Sequence, residues 1–362
     1  MNSIINVTTK HSRYDTRVFK RFTQGLSSSY KCSILVNDLH ENEHNDRFKI
    51  TGLKKKNKLL TLIAFLKFLN NSESSVVILH DPELLLITPF IKRNKHRVYF
   101  DSHENTPNDI LIKEYIPIFL RSFVSKIYEK IERYIAYYFL HGVISPSKDV
   151  CLRMEGYKIK NYLILNFPTT DMIAKSTKQS SQNEVLEIVF VGLMNFPRGV
   201  DVLINACKSL ENIRLTLIGP CYDKKMSAFI EDNLSSKIVY LGPKKIDEVL
   251  CYLDNSDIGI VAPRKSAISM DALPVKLPEY MSRGLCIVGS DIPIISSLIS
   301  LADCGSVIDP ESSIEMSECI QYYEENRDVL NQKKINSLSY AEENFSFEKD
   351  FNNSSGEIFG IN

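Results

Sequence analysis

The sequence predicts an α/β protein with two doubly wound, Rossmann-like domains, each built on a parallel sheet, that face one another across a cleft. Its length of 362 residues suits two domains that can each bury a core. Apolar runs of about six residues alternate with longer amphipathic stretches in both halves of the chain. This alternation is typical of βαβ units, and two series of such units predict two sheets.

Twelve apolar runs are predicted strands. Six lie in the first half, at residues 3–9, 31–38, 48–53, 75–80, 97–103 and 142–147. The helix-like stretches between them are 16–28, 58–71, 82–94 and 112–140. Six more strands follow, at residues 186–192, 213–219, 237–242, 258–263, 285–291 and 304–309. Because doubly wound folds bind ligands beyond the carboxyl ends of their strands, we expect the functional residues at those ends.

The two domains are expected at residues 1–168 and 186–340. Between them, residues 169–185 lose the periodicity and are rich in Ser, Thr, Gln and Asn, which is typical of a linker. Residues 341–362 are expected to form a C-terminal helix and a frayed tail, because the segment ends on SSGEIFGIN.

The charge balance of the chain conceals an asymmetry. The totals are 44 Lys and Arg against 44 Asp and Glu, yet residues 1–165 carry +10 and residues 166–362 carry −10. The two halves are therefore expected to meet different partners. Eight cysteines without a CxxC pair are expected to be reduced, as in a cytosolic protein. No apolar run reaches the ~18 residues of a membrane span, and the N-terminus lacks the features of a signal peptide.

The segment 271–291 carries the strongest chemical signal. It places Lys276 and Glu279 beside a short predicted helix that is followed at once by a strand. Pro278 suits the first position of that helix, and Gly284 suits its C-cap. A lysine near the free N–H groups of a helix start can bind phosphate, and a glutamate there can accept two hydrogen bonds from a ribose diol. Taken alone, Glu279 could equally complement the helix dipole.

Several segments resemble a known family. Residues 274–293, PVKLPEYMSRGLCIVGSDIP, resemble the donor-site signature of the retaining glycosyltransferases of family 4 (glycosyl transferases group 1), which have the GT-B fold. Other segments resemble further parts of that family, in the expected order: HSRYDTRVFKRFTQGL (11–26), HDPELLLI (80–87), YFDSHE (99–104) and VGLMNFPRGVDVLINA (191–206). The resemblance covers nearly the whole chain and fades toward the C-terminus.

The resemblance implies a donor site in the second domain. Glu279 would bind the ribose of a nucleotide-diphosphate sugar, while Lys276 and Arg198 would neutralise its diphosphate. Gly192 and Leu277 would complete this donor site. Two cations can stabilise a departing diphosphate without a divalent metal, and the chain has no obvious DxD triplet. We therefore expect neither a metal nor another cofactor.

The resemblance also implies catalytic and acceptor-side residues. His103 would lie near the transferred sugar, and His11 and Asp15 would lie on the acceptor side, although a lone loop histidine is more often just solvated. The family usually has two glutamates in the donor motif, and the chain has Asp271 at the first position. We expect Asp271 and Glu279 to act with His103 in catalysis, with a donor preference changed by the shorter side chain.

The positive half of the chain concentrates its charge on two predicted helices. Residues 52–71 place the cluster Lys54–Lys56 beside an apolar helix face, which is typical of docking on an anionic membrane surface. Residues 112–142 mix basic residues with a dense apolar stripe, and much of that stripe is expected to pack on the core. No motif of a nucleic-acid reader accompanies the charge, so we expect no nucleic-acid partner.

These features predict a metal-independent, retaining glycosyltransferase of the hexosyltransferase type. It would move a sugar from a nucleotide-sugar to a lipid-linked or oligosaccharide acceptor. The expected pathway is surface polysaccharide or lipopolysaccharide biosynthesis, with the enzyme in the cytoplasm on the inner face of the cytoplasmic membrane. Two alternatives stay open, a catalytically silent sugar-nucleotide-binding scaffold and a GT-B sugar-nucleotide epimerase. The P-x-K-L-x-E-Y loop at residues 274–280 speaks against the epimerase.

Overall fold

The structure is a computed structural model that describes residues 3–38, 40–53, 57–103, 105–112, 116–182, 184–265 and 273–360. The chain divides into two compact units. The first contains the residues up to Thr169 and those from Phe347 onward, and the second runs from Thr170 to Ser346. Each unit is a layered α/β structure around its own sheet, as the alternating sequence pattern predicts.

The first unit begins with eight strands and four α-helices. Its strands are β1 (Ser3–Thr8), β2 (Lys31–Val36), β3 (Glu43–His44), β4 (Phe48–Gly52), β5 (Val76–Leu79), β6 (Arg97–Asp101), β7 (Gly142–Ser145) and β8 (Asn161–Leu163). Its helices are α1 (Lys58–Asn71), α2 (Thr106–Ile112), α3 (Ile118–Phe139) and α4 (Lys148–Gly156). A π-helix (Thr16–Gln24) follows β1, and 3₁₀ segments cover Gly25–Ser28 and Pro82–Phe90.

The second unit opens with a 3₁₀ turn at Thr170–Met172 and contains six strands and seven α-helices. The strands are β9 (Leu186–Val191), β10 (Ile213–Ile218), β11 (Ile238–Tyr240), β12 (Ile258–Val261), β13 (Cys286–Ser290) and β14 (Gly305–Ile308). The helices are α5 (Val200–Lys208), α6 (Lys224–Glu231), α7 (Ile246–Asp254), α8 (Lys276–Met281), α9 (Pro293–Ala302), α10 (Ser313–Glu325) and α11 (Arg327–Asn344). A further 3₁₀ turn, Phe196–Arg198, lies between β9 and α5.

The order of the strands creates a switch point in each sheet. The first sheet runs β3-β4-β2-β1-β5-β6-β7-β8, and all its pairs are parallel except β3–β4. The second runs β11-β10-β9-β12-β13-β14 and is wholly parallel. In each sheet the chain first builds outward on one side of the first strand and then crosses to its other side. The loops after β1 and β5, and after β9 and β12, therefore diverge and leave room for a ligand.

The central strands of both sheets are largely buried because helices cover both faces of a parallel sheet. Every residue of β5, β12 and β13 is buried. All twelve predicted strands are present. The two strands that the sequence pattern does not reveal, β3 and β8, have only two and three residues and lie at the edges of the first sheet.

Two segments differ from the expectation for the ends of the domains. Most of the predicted linker, residues 169–185, belongs to the second unit, where Ser180 bonds to Asn331 and Arg327 of α11. The C-terminal segment is an ordered helix, α12 (Phe347–Phe359), rather than a frayed tail. Phe347 and the three residues Phe351, Ile358 and Phe359 are buried in the first unit, because an amphipathic stripe there meets the apolar face of the first sheet.

Helix α3 also differs from expectation. Its apolar stripe was expected to pack largely on the core, but the buried residues of α3 are Ser125, Glu132, Ile135 and Ala136, and most of its large apolar side chains are exposed. The basic cluster Lys54–Lys56, predicted to precede α1, lies outside the described residues. Within the described ranges, no helix is both long and apolar enough to span a membrane.

Candidate functional site

A buried polar cluster lies at the carboxyl ends of β1, β5 and β6, beside the switch point of the first sheet. Its central histidine, His80, follows β5, and its Nε2 lies 3.0 Å from Oδ1 of Asn6 on β1. The Asn6 amide nitrogen donates to Thr23 and to the backbone of Phe22, so its oxygen is left to accept from His80 Nε2–H. Burial lowers the pKa of His80, while its contact with Asp101 acts in the opposite direction.

Asp101, at the end of β6, binds the other side of this histidine. One carboxylate oxygen lies 2.9 Å from Nδ1 of His80 and 2.9 Å from Nε2 of His103. The two histidine nitrogens are 3.1 Å apart, so both rings and the carboxylate form one polar cluster. This network fixes the ring of His103 with Nε2 turned toward Asp101.

Arg17 of the π-helix neutralises Asp101. Its guanidinium donates to both carboxylate oxygens, at 2.6 and 2.8 Å, and to Asn166 at 2.7 Å. Burial raises the pKa of the Asp101 carboxyl, but Arg17 and His103 outweigh it and hold the pKa well below its usual range. The sequence analysis did not single out Arg17, although it belongs to the quoted segment 11–26; its partner is 84 residues away in the chain, and no local spacing signals the pair.

His11 and Asp15 meet His103 on the loop after β1. The rings of His11 and His103 stack with centroids 4.7 Å apart and planes at 24°. Asp15 Oδ2 lies 3.3 Å from His11 Nδ1, while Asp15 Oδ1 caps the π-helix by accepting from the N–H groups of Arg17 and Val18. The hydrogen bond with Asp15 raises the pKa of His11. The structure thus brings together the three first-domain residues, His11, Asp15 and His103, that the sequence analysis selected.

The HDPE motif supports that loop. Asp81 accepts from the hydroxyl of Thr8 at 2.7 Å and from the backbone of Thr9 at 2.6 Å. Glu83 accepts from the Thr9 hydroxyl and pairs with Lys10. The motif therefore acts through the backbone that carries His11.

His80, Asp101 and His103 also form a group with metal-ligand chemistry, with ligand atoms within 4.8 Å of one another. Arg17 already donates to both oxygens of Asp101, and His80 Nε2 is committed to Asn6. A cation in this group would compete with the Arg17 guanidinium for the same carboxylate. The donor set is therefore better matched to a hydrogen-bonded arrangement of three protein side chains than to a divalent ion.

In the second unit, the candidate site is built at the end of β9. A β-carbon at Gly219 would lie 1.9 Å from the carbonyl oxygen of Gly192, and Gly219 has a φ of 140°, so only glycine fits there. This close approach brings the loops after β9 and β10 together. The Arg198 guanidinium lies against Gly192, 2.9 Å from where a β-carbon would be. Asn195 caps the turn that carries Arg198 by accepting from its N–H.

Arg198 has an unusual electrostatic setting. Although the residue as a whole is exposed, the partial burial of its guanidinium lowers its pKa. Within the described ranges no carboxylate forms an ion pair with it. By contrast, Arg264, which binds the same loop from the end of β12, donates to both Asp201 oxygens at 2.8 Å and to Glu311. Arg198 is therefore a cation available to an anionic ligand.

Helix α8 carries Lys276 and Glu279. Lys276 Nζ and Glu279 Oε2 form an ion pair at 2.7 Å, in which the Glu279 side chain is almost fully buried and that of Lys276 is partly exposed. The neighbouring Tyr280 is fully buried, and its hydroxyl accepts from the Val191 N–H at 2.7 Å. Its ring crosses Gly259 of β12, where any β-carbon would be 2.4 Å from a ring atom. These contacts hold α8 against the end of β9, next to Gly192.

The structure refines the geometry predicted for the donor motif. The helix begins at Lys276 with Val275 as its N-cap, so Pro278 is its third residue and not its first. Gly284, with a φ of 69°, lies just beyond the helix end, as expected for a left-handed terminator. The Leu277 side chain is completely buried, which leaves only its backbone for a ligand. Asp271 lies outside the described residues, so its predicted role stays a prediction.

Known proteins resemble this chain in fold and, over its second unit, in sequence. Among solved structures, HepE from Anabaena in complex with UDP-glucose superposes with a TM-score of 0.71, at 12% identity, over 99% of this chain and 100% of that chain. WaaG, a glycosyltransferase involved in lipopolysaccharide biosynthesis, does so with a TM-score of 0.68, at 14% identity, over 99% and 100%. The fold of the chain is therefore that of the GT-B glycosyltransferases.

The sequence match is narrower than the fold match. Residues 171–342, which lie within the second unit, match the family model described as Glycosyl transferases group 1. An uncharacterized glycosyltransferase of Methanocaldococcus jannaschii is 30% identical over 142 residues, which are 38% of this chain. That match spans only 39% of the relative's own length.

Proposed function

We propose that the chain is a retaining, metal-independent glycosyltransferase that uses a nucleotide-diphosphate sugar as donor. The observation that carries the proposal is the group of residues at the end of β9. Arg198 lies there without a carboxylate partner among the residues described, and α8 presents the Lys276–Glu279 pair beside it. Cations held in place before the ligand arrives stabilise a departing diphosphate because they need no reorganisation when its charge develops.

The roles of the donor-site residues follow from their settings. Arg198 and the partly exposed Lys276 would bind the diphosphate, and the buried carboxylate of Glu279 would accept hydrogen bonds from the ribose hydroxyls. Lys276 would exchange part of its interaction with Glu279 for the phosphate oxygens. The domain match over residues 171–342 and the UDP-glucose bound by HepE support a sugar nucleotide as the ligand.

The cluster of the first unit would serve the transferred sugar and the acceptor. The Nε2 of His103 is held by Asp101, so its Nδ1 is the nitrogen left for a hydroxyl of the sugar. His11 stacks on the same ring and, with Asp15, would bind the acceptor side. Asp271 would contact the donor sugar with a shorter reach than the glutamate of the resembled motif.

We further propose a lipid-linked or oligosaccharide acceptor and a peripheral position on the cytoplasmic leaflet. The excess positive charge of residues 1–165 supports an anionic surface as partner. WaaG acts in lipopolysaccharide biosynthesis, which supports surface polysaccharide or lipopolysaccharide assembly as the pathway here. Lys58 and Lys67, the exposed lysines of α1 within the predicted basic segment 52–71, would contribute to membrane attraction.

The test is an assay of turnover with a panel of UDP- and GDP-sugars, with and without EDTA. Turnover is measured as the release of the nucleoside diphosphate. We expect Lys276→Ala and Glu279→Gln each to lower turnover at least about tenfold, since each removes an interaction worth over ~1.4 kcal/mol in the transition state. Lys244→Ala is the control, because Lys244, just before α7, also pairs with a glutamate of the following helix, Glu248, elsewhere in the second unit.

Each outcome of this assay bears on one hypothesis. Nucleotide binding without release of nucleoside diphosphate, in the presence of any acceptor, would favour the silent scaffold. Conversion of one UDP-sugar into its epimer would favour the epimerase. Full turnover in both site variants would remove α8 from the donor site, and loss of turnover with EDTA would refute metal independence. The anomeric configuration of the product, read by NMR, tests retention.

A further inference from the structure

Helix α3 presents its apolar side chains to solvent. Phe119 is 78% exposed, and the other exposed large side chains of this helix are Ile118, Leu120, Phe123, Ile127, Ile131, Tyr134, Tyr137 and Tyr138. Many are three or four residues apart, so they form one stripe along a helix of 22 residues, about 33 Å long. An exposed apolar surface of this extent marks an interaction site on a protein that is otherwise well packed.

The inner face of the same helix combines the polar residues Ser125 and Glu132 with Ile135 and Ala136, which pack in the core of the first unit. Ser125 donates to the backbone of Pro107 at 2.7 Å. Glu132 is buried and forms an ion pair with Arg153 of α4. Because these polar groups find partners inside the unit, the orientation of α3 is fixed with its apolar stripe outward. The exposure of the stripe is thus a property of the folded unit and not of a loose helix.

The neighbouring elements extend this surface. Arg93, after the 3₁₀ segment Pro82–Phe90, donates to the backbone of Tyr138 at 2.6 Å. Asn70 of α1 donates to the backbone of Phe90 at 3.1 Å. The three elements are therefore linked, and α1 and the 3₁₀ segment add further exposed apolar side chains, namely Leu59, Leu60, Ile63, Leu86 and Phe90. We call these residues and the stripe of α3 the apolar face.

Basic residues predominate among the exposed charges around the apolar face, with Glu73, two residues beyond α1, as an exposed acidic residue. The exposed basic residues of the face are Lys58, Lys67, Lys92, Arg93, Lys126, Lys130 and Arg133. The acidic residues of the same three elements are all engaged: Glu83 with Lys10, Glu129 with Tyr157, and Glu132 with Arg153. None of them is exposed. The apolar face is therefore complementary to a surface that is apolar inside and anionic at its rim.

We propose that α3 is the principal membrane-inserting element of the chain and lies in the plane of an anionic leaflet. Ile118, Phe119 and Phe123 would enter the acyl boundary, while the tyrosines of the C-terminal half would lie at the headgroup level. The lysines and arginines would bind lipid phosphates. A second copy of the chain fits less well, because a symmetric contact would oppose the same basic residues. The inference rests on the proposed function for its lipid-linked acceptor, and it assigns the main insertion to α3 instead of residues 52–71.

The chain contains no tryptophan, so a single introduced indole reports on its own site. We would compare Phe119→Trp with Leu301→Trp, since Leu301 is similarly exposed, at 72%, in the second unit. With phosphatidylcholine–phosphatidylglycerol vesicles we expect a blue shift and quenching by brominated acyl chains for position 119 alone. Pure phosphatidylcholine should give a weaker response. Equal emission at both positions, with and without anionic vesicles, would overturn the proposal.

A second set of variants separates insertion from activity. Phe119→Ser/Phe123→Ser should lower vesicle binding at least about tenfold, because two aromatic side chains that would enter the lipid are then lost. The matched control, Leu301→Ser/Ile314→Ser, should bind vesicles like the wild type. Turnover of a water-soluble acceptor should be unchanged in both. Vesicle binding equal to wild type in the phenylalanine variant would refute the role of α3.

Two further results keep this inference distinct from the proposed function. If vesicles bind through position 119 but no sugar nucleotide is turned over, the membrane surface stands and the enzymatic proposal fails. If turnover occurs and vesicles do not bind, the enzymatic proposal stands and the membrane surface fails. A blue shift of Phe119→Trp that grows with protein concentration in the absence of lipid, with a rise in mass by sedimentation, would assign the face to self-association.

Discussion

An arginine follows the first strand of each sheet, and the two arginines have opposite surroundings. Arg17, after β1, is buried and donates to both oxygens of Asp101 and to Asn166. Arg198, after β9, lies against Gly192 with no carboxylate partner in the described part of the chain. The comparison separates a cation that organises protein side chains from a cation that is kept for a ligand.

The energetic consequences of the two settings differ. A buried ion pair between an arginine and a carboxylate leaves the fold stable only while both partners are present. If one is removed, the other charge is buried without compensation for its lost hydration. Arg198 bears part of that desolvation already, which lowers its pKa in the unliganded protein. An arriving diphosphate would offset this cost. Among the described residues, the Arg198 charge therefore has no carboxylate partner, whereas the charges of the first-unit cluster are paired with one another.

The largest expected effect concerns the satisfied arginine. Arg17→Met would leave Asp101 buried without its cation and should destabilise the first unit by about 3–5 kcal/mol. Urea denaturation, monitored through the hydrogen exchange of backbone amides in β1 and β6, measures the stability of the first unit separately from that of the second. The double variant Arg17→Met/Asp101→Asn should recover much of the loss because neither charge is then left alone. A single variant as stable as the wild type would show that the pair contributes nothing to the first unit.

The Arg17–Asp101 pair also shows which contacts cannot be predicted from the sequence. Apolar runs alone predicted β5 and β13, since a fully apolar run of this length suits a strand buried on both faces. The Arg17–Asp101 contact depends instead on the lateral order of β1, β5 and β6, which no local spacing encodes. Lys276 and Glu279 were predictable because the motif that carries them is contiguous. The anchor that positions them, Tyr280 on Val191, spans 89 residues and was not.

Helix α3 illustrates a second limit. Its periodicity shows which side chains share a face, but not which face turns toward the sheet. The inner face carries Ile135 and Ala136 in the core together with Glu132, whose partner Arg153 lies 21 residues further along on another helix. Without that contact the apolar stripe is the more natural core, and the sequence analysis assigned it so. Burying a charged residue outweighs hydrophobicity here only because a partner is in place.

An intermediate effect is expected at the unsatisfied arginine. Arg198→Ala should leave the unliganded protein as stable as the wild type or slightly more stable, because it removes a partly desolvated charge without a carboxylate partner. Its affinity for UDP should fall at least about tenfold, or ~1.4 kcal/mol. Thermal unfolding at rising UDP concentration measures both quantities, since a bound ligand stabilises by mass action. Arg264→Ala is the informative contrast, because loss of its pairs with Asp201 and Glu311 should destabilise the unliganded second unit. If Arg198→Ala behaves like Arg264→Ala, the arginine is structural and the contrast between the two units fails.

The smallest effect concerns the titration of the loop after β1. The hydrogen bond with Asp15 raises the pKa of His11 above its ordinary 6.5, so the protonated form is favoured in the folded chain. The pair therefore stabilises the loop fully below about pH 6.5, and this contribution is lost as the pH rises through the raised pKa. Histidine-selective NMR should record the raised value in the wild type and a lower one in Asp15→Asn.

His141 provides an internal control for that titration. Burial lowers its pKa to about 4, and Asp15 is not among the groups that shift it, so Asp15→Asn should leave it unchanged. A pKa of His11 that stays raised in Asp15→Asn would mean that Asp81 and Asp101, the other carboxylates that raise it, carry the effect. In that case the acceptor-side loop would depend on the buried cluster around Asp101, and Asp15 would serve the first unit only as the cap of its π-helix.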